Sequence, residues 1–184
     1  TANIGLEHTD IVTNERGAIV VNDTCESSVP GVYAVGDVNG GPQFTYVSLD
    51  DFRIVFGTLT GNGQYTLKDR KNIPYTTFLT PPLSRVGLTE EDAINQGYTV
   101  KTKEMLVATM PRAHVNDYLK GAFKIVVDAD NDLILGATLY SQGAEELINL
   151  IKMAMDNNIP YTYFKNQIFT HPTMAENLND LCNF

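Results

Sequence analysis

The sequence predicts an α+β fold in which an antiparallel sheet is flanked by helices, and three observations lead to it. Residues 105–109, 123–127 and 133–140 read as strands, the last two joined by the turn-rich Asp128-Ala-Asp-Asn-Asp132. A long helix follows directly: Ala144, Leu147, Ile148, Ile151 and Met155 recur at spacings of three and four and share one stripe. A shorter helix comes before the strands, where Thr89-Glu-Glu-Asp92 offers a capping box and Gly97 can serve as the residue just past the helix end. Strands adjacent in sequence with helices set apart from them are the α+β pattern; strict alternation would have indicated a parallel sheet.

The earlier part of the chain is read element by element. Ile19-Val-Val21 suits a short strand. Residues 32–36 are a continuous apolar run entered through Pro30-Gly31, which suits a strand covered on both faces, yet this short segment cannot supply the parallel neighbours such a strand needs. From residue 45 to about 60, Val47, Leu49, Phe52, Ile54, Val55, Phe56 and Leu59 spread over more than half of a helical wheel, so a largely buried helix is expected. Gly61-Asn-Gly63 stops it, and Lys68-Asp-Arg-Lys71 reads as a solvated run ahead of Ile73-Pro74. The stretch 61–74 is therefore read as a linker dividing residues 1–71 from residues 72–184.

In the later part, Phe78-Leu-Thr-Pro-Pro-Leu-Ser-Arg-Val-Gly-Leu-Thr-Glu90 reads as a strand, a rigid proline pair and the capped helix. Glu145 and Glu146 sit in the first turn of the long helix, where its dipole favours acid, and Pro160 bounds that helix. Leu150, Met153 and Ala154 widen its apolar stripe beyond what one sheet face needs to cover. Short helices are expected over 161–166 and 173–182.

Composition narrows the possible partners. The 184 residues are 43% hydrophobic and 19% charged, which is ordinary for a globular chain and argues against disorder. A net charge of −9 repels phosphate backbones and anionic lipid, so neither nucleic acid nor a membrane surface is an expected partner. No apolar run approaches the roughly 18 residues of a membrane span, and the first residues lack a signal-peptide pattern; a soluble, intracellular protein is expected. Cys25 and Cys182 give neither a disulfide framework nor metal-ligand spacing, and no metal site is expected. The chain opens on Thr1-Ala-Asn-Ile-Gly-Leu and not on an initiator Met, and its apolar segments look like the later strands of a larger sheet, so a fragment is expected.

Two segments carry chemistry. In Ser28-Val-Pro-Gly-Val-Tyr-Ala-Val-Gly-Asp37 a strand ends at Gly36, which lets backbone approach a ligand, and at Asp37, which can accept hydrogen bonds from hydroxyls. A strand followed by an Asx turn explains the same residues without a ligand. In Phe169-Thr-His-Pro-Thr-Met-Ala-Glu176, Thr173 and Glu176 have capping-box spacing, and His171 could be a surface histidine. An imidazole titrates near pH 6.5, so the same residue can move a proton when a carboxylate at its other nitrogen fixes the tautomer.

The two segments together resemble the pyridine nucleotide-disulfide oxidoreductases, the family of glutathione reductase and dihydrolipoamide dehydrogenase. The family's second flavin signature is matched at residues 32–37, and His-Pro-Thr/Ser-x-x-Glu, its C-terminal signature, is matched at His171 and Glu176. The resemblance implies that Gly36 and Asp37 meet FAD, Asp37 binding its ribityl chain. Phe44, Thr45 and Tyr46 would start a helix at the flavin pyrimidine edge, where first-turn N–H groups stabilise negative charge. His171 would exchange a proton with a redox-active thiol across a homodimer interface, oriented by Glu176. NAD(P)H would be the co-substrate and a small-molecule oxidant or a disulfide the substrate.

Residues 44–55, 69–75, 80–87 and 170–181 further resemble the bacterial reactive-chlorine-resistance flavoproteins, reductases linked to hypothiocyanous acid and copper(II). Within that likeness, residues 1–71 correspond to the returning piece of a split α/β FAD-binding domain and residues 72–184 to the dimerisation domain.

The departures matter as well. No G-x-G-x-x-G follows a strand, and no Cys-x-x-x-x-Cys pair is present, so most of the cofactor would be held by regions outside this chain and the chain alone is expected to be inactive. Two other readings stand beside this one. A stand-alone dimerisation or interaction module without redox activity is the first. The second is a hydrolase using Cys182 and His171, which lacks a recognisable third group.

Overall fold

A computed structural model describes Thr1 and residues 3–184. The chain divides into two compact units, Thr1–Lys71 and Asn72–Phe184.

The second unit is built on a five-stranded antiparallel sheet: β1 (Tyr75–Thr77), β2 (Leu83–Gly87), β3 (Val100–Leu106), β4 (Ala122–Asp128) and β5 (Ile134–Tyr140), in the order β1-β2-β5-β4-β3. This is the helix-flanked antiparallel α+β architecture that the pattern predicts. β2 and β5 pair from Leu83↔Tyr140 to Gly87↔Gly136, and both glycines are needed there. A Cβ on Gly87, whose φ is +70°, would fall 2.2 Å from Leu135 O, and one on Gly136 would fall 2.1 Å from Leu88 O.

Helix α2 (Glu90–Asn95) begins on the reciprocal Thr89–Asp92 capping box and ends near Gly97, which takes φ +88°. After α3 (Pro111–Val115) comes the long α4 (Ala144–Asp156), which packs on β5 and β2. Its stripe of Ala144, Leu147, Ile148, Ile151, Ala154 and Met155 is buried in one core with Phe123, Ile125, Val127 and Leu139. Of the three residues expected to widen the stripe, Ala154 is buried and Leu150 packs against the same core, so Met153, 56% exposed, is the one that points outward.

The third strand lies earlier than residues 105–109. It runs Val100–Leu106 and is followed by a 3-10 turn, Val107–Thr109. The reason is its edge position: only β4 pairs with it, so Lys101 and Glu104 face solvent and the apolar run that marks a covered strand is missing. Helix α5 (Tyr161–Asn166) falls where expected, whereas the last helix, α6, spans Asn177–Leu181 and starts only after the residues 173–176 have closed a turn.

The first unit departs further from expectation. Its helix α1 (Thr45–Thr60) is present and ends at Gly61 with φ +76°, whose N–H meets the carbonyls of Gly57 and Thr58. It is not largely buried: only Val47, Asp51 and Ile54 are covered, while Leu49, Phe52, Phe56 and Leu59 are exposed. Residues 32–36 form no ladder, and Tyr33 makes a single bridge to Glu26. Residues 19–21 likewise make only the bridge Thr13↔Ile19. An apolar strand or helix face needs a second layer to bury it, and this unit contains no strand ladder among the described residues. Nor is the run at residues 68–71 wholly solvated, because the Arg70 side chain turns inward onto Asp50 and Asp51.

No helix among the described residues is long and apolar enough to cross a membrane.

Candidate functional site

His171 sits on the irregular segment between α5 and α6. Glu176 lies five positions on, and the turn between them folds its carboxylate back so that Oε2 stands 2.7 Å from His171 Nδ1. The reciprocal Thr173–Glu176 pair makes this possible. Thr173 N–H donates to Glu176 Oε1 at 3.2 Å, Glu176 N–H donates to Thr173 Oγ1 at 3.2 Å, and Thr173 Oγ1 donates to Thr170 O at 2.7 Å. One carboxylate therefore both closes the turn and holds the ring. The Glu176 side chain is 18% exposed and that of His171 69%, so the orienting group is sheltered and the imidazole is open. With Nδ1 engaged by Glu176, Nε2 is the nitrogen left for an incoming group.

Three residues that sequence reasoning did not single out fix this segment from below. Asn179 Nδ2 donates to Phe164 O at 2.6 Å and Gln167 O at 2.9 Å, tying α6 to the end of α5. Asn177 Nδ2 donates to the carbonyls of Thr173 and Met174, both at 3.1 Å. Lys103 on the edge strand β3 donates to Asp180 O at 2.7 Å and Asn183 O at 2.5 Å, where a cation suits the helix C-terminus. Two asparagines within three residues of Glu176 were the available signal.

The other candidate residues lie in the first unit. Gly36 opens a 3-10 turn, Gly36–Asn39, with φ +71°. A Cβ at that position would lie 2.6 Å from Ser48 Oγ, so the close packing of this turn on α1 also calls for glycine. Asp37 is exposed on the wall of an open cleft of about 730 Å³, which Asn14, Arg16 and Gln43 also line. Helix α1 starts after Phe44 with no side-chain cap on its first turn, and Thr45 and Tyr46 are exposed there. The Phe44 and Tyr46 rings stack at 5.1 Å and 7°. Partial cover of its ring nevertheless pushes the Tyr46 phenol above its ordinary pKa.

These residues fit the FAD that the resemblance implies. An exposed carboxylate beside a cleft can accept from hydroxyls, and an uncapped helix start can face negative charge.

A buried carboxylate stands behind that turn. Asp51 is 1% exposed on α1, and its Oδ2 accepts from Gly36 N–H at 2.7 Å and from Asn39 Nδ2 at 2.9 Å. Its Oδ1 takes the Arg70 guanidinium, whose Nε bonds Asp50 Oδ2 at 2.7 Å. Asp51 shares α1 with Ser48, Asp50 and Arg53, so no local pattern marked it as the buried carboxylate.

Both cysteines are buried, with no exposed sulfur for attack. Burial pushes the Cys182 thiol up to about 12, against a smaller downward pull from Lys103, and burial with the Asp51 charge pushes Cys25 up to about 11. A buried thiol whose pKa is raised lacks the thiolate character that a hydrolase nucleophile needs. Among the described residues, no group of three or more His, Cys, Asp or Glu could hold a metal ion.

Residues 73–182 match the pyridine nucleotide-disulphide oxidoreductase dimerisation domain, and residues 1–51 match a further family model described as pyridine nucleotide-disulphide oxidoreductase. The chain is 48% identical over 181 residues to a probable pyridine nucleotide-disulfide oxidoreductase, RclA, of Escherichia coli K12, covering 98% of this chain and 41% of that protein. Mercuric reductase of Staphylococcus aureus is 33% identical, with 97% of this chain and 32% of that protein covered. The solved HOCl-induced flavoprotein disulfide reductase RclA from Escherichia coli is 47% identical and superposes with a TM-score of 0.95 over 99% of this chain and 42% of that one. The chain thus spans well under half the length of these relatives.

Proposed function

The chain belongs to the pyridine nucleotide-disulphide oxidoreductase family, and from that premise we propose that it is the C-terminal part of an FAD-dependent, NAD(P)H-using oxidoreductase. Its part in that enzyme is a homodimer interface, formed by Asn72–Phe184, together with the proton-handling pair His171 and Glu176. Thr1–Lys71 is the returning piece of the FAD-binding domain, and the intact protein works in the bacterial cytoplasm on a small-molecule oxidant or a disulfide. FAD, when bound, supplies two-electron transfer between a nicotinamide and a redox-active disulfide.

The observation that carries this reading is the 2.7 Å contact between Glu176 Oε2 and His171 Nδ1 beneath an open ring. A carboxylate at Nδ1 places the ring proton there and leaves Nε2 as the base. A thiol that gives its proton to Nε2 becomes a thiolate, and the resulting imidazolium is stabilised by Glu176. When the thiolate is to be reprotonated, the same nitrogen returns the proton. The cysteine served belongs to the other subunit, which is why the pair sits in the unit that dimerises. On the flavin side, Asp37 would hold FAD by accepting from its ribityl hydroxyls, and the α1 start at Thr45 and Tyr46 would offer N–H groups to negative charge on the flavin; both would orient the cofactor and neither would react.

The test is the visible spectrum of the complete protein. Flavin bands that NAD(P)H bleaches without oxygen, and that a disulfide or other oxidant restores, support the assignment. A colourless complete protein that is inert to NAD(P)H would remove it.

A further inference from the structure

We propose that Asp51 and Arg70 form a buried latch that positions Asp37, making both of them positioning residues for the flavin. The inference rests on the reading that Asp37 meets the cofactor, and it concerns residues to which that reading gives no role.

The argument starts from cost. Moving a carboxylate out of water costs several kcal/mol unless donors replace its hydration, and apolar residues of similar volume often stabilise a core better. Asp51 is nevertheless 1% exposed, on the same inner face of α1 as Val47 and Ile54. Its donors come from two separate segments. Gly36 N–H and Asn39 Nδ2 are the two ends of the 3-10 turn that carries Asp37, and Arg70 lies 19 positions beyond Asp51 in sequence. Oδ2 takes both donors from the turn and Oδ1 takes the guanidinium, so the carboxylate joins the two segments through opposite oxygens.

The Asn39 amide also reaches Ala34 O at 3.3 Å, and its Oδ1 accepts from Gly41 N–H at 3.0 Å, which extends the grip to both flanks of the turn. Arg70 is itself held. Its second arm meets Asp50, which also accepts from Tyr65 OH at 3.2 Å, and the turn ahead of it is closed by the Thr66–Asp69 capping box. Burial pulls the guanidinium pKa down, but the hydrogen bonds it donates to Asp51 and Asp50, with their negative charges, outweigh that and raise the pKa above its ordinary value. The cation therefore stays charged.

Removing Arg70 leaves Asp51 with neutral donors only. A buried charge so exposed to desolvation draws toward water and takes the Gly36–Asn39 turn with it. Among the described residues Asp51 is the side chain that ties that turn to α1, and the turn keeps only its backbone tie from Ile19 N–H to Val38 O at 2.9 Å, so the Asp37 carboxylate is less firmly placed at the cleft.

The test is a double-mutant cycle on FAD affinity in the complete flavin-loaded protein, with the dissociation constant followed by release of flavin fluorescence. Arg70→Ala should raise that constant about tenfold when Asp37 is present, and less than about twofold when Asp37 is already Ala. Arg70→Lys keeps one charge contact and should recover most of the loss; if Arg70→Ala does not fold, the lysine variant carries the cycle with a smaller change of the same sign. An equal loss in both backgrounds would show a general structural role and overturn the latch, as would no loss at all. An Asp37→Ala protein that binds FAD as tightly as the parent would instead remove the reading of Asp37 itself, a result distinct from either.

Discussion

Glu176 divides its carboxylate between the backbone and the ring: Oε1 accepts the Thr173 N–H at 3.2 Å while Oε2 stands 2.7 Å from His171 Nδ1. The turn and the imidazole are consequently one mechanical unit. Glu176→Ala should free the ring and loosen the turn together, and 15N imidazole shifts of the 184-residue chain would report it as loss of the Nδ1–H tautomer preference. An unchanged tautomer balance would mean that the ring is held by something else.

Association follows from apolar surface that the second unit leaves in water. Phe78 is 80% exposed, Ile168 95% and Met153 56%. At roughly 25 cal/mol per Å², such surface is costly to leave uncovered, and a symmetric copy is the commonest cover. Sedimentation equilibrium of the 184-residue chain should show dimers at micromolar concentration. Ile168→Lys touches no core residue, so it should weaken the dimer at least about tenfold while the melting temperature of the monomer holds. Tenfold is the arm to watch: a dimer indifferent to that charge would place the interface elsewhere.

The core offers a calibrated check of the fold. Phe123 is fully buried on β4 in the same core as the α4 stripe, and Phe123→Ala should cost about 3 to 5 kcal/mol in denaturant unfolding of the chain. A cost under about 1 kcal/mol would contradict the packing described for that face.

The buried thiols predict an alkaline limit. Cys182 is pushed up to about 12 by burial, whereas in an unfolded chain it ionises near its ordinary 9.0. The folded pKa is the raised one, so the contribution is complete below pH 9 and is lost as pH rises toward 12, because the unfolded state sheds its proton first. Cys182→Ser should flatten that alkaline fall in stability. Thiol labelling of the native chain at pH 8 should be slow at both cysteines and become fast on unfolding.

What the sequence made legible follows the same physics. The α4 stripe, the Thr89 capping box and the Gly61 and Gly97 helix stops are local signals, complete within a few residues, and each appears in the structure. The misread elements depend on layers or partners outside the local window. β3 hides its strand pattern because one edge faces water, and residues 32–36 look like a covered strand in a unit with no ladder to cover them. His171 and Glu176 were readable because their spacing of five closes a single turn. Asp51 and Arg70 were not, since only the folded chain shows that an acidic residue of α1 and a basic residue of the supposed linker meet behind the Gly36 turn.

The account turns on His171 handling a proton that the hydride step does not use. Rapid mixing of the complete protein with NAD(P)H measures flavin reduction, and steady-state assay measures thiol-dependent turnover. For His171→Ala the expected result is unchanged flavin reduction with turnover down by about 10² to 10⁴, the usual scale of general acid–base help. Equal losses in the two rates, or full turnover without the imidazole, would contradict it.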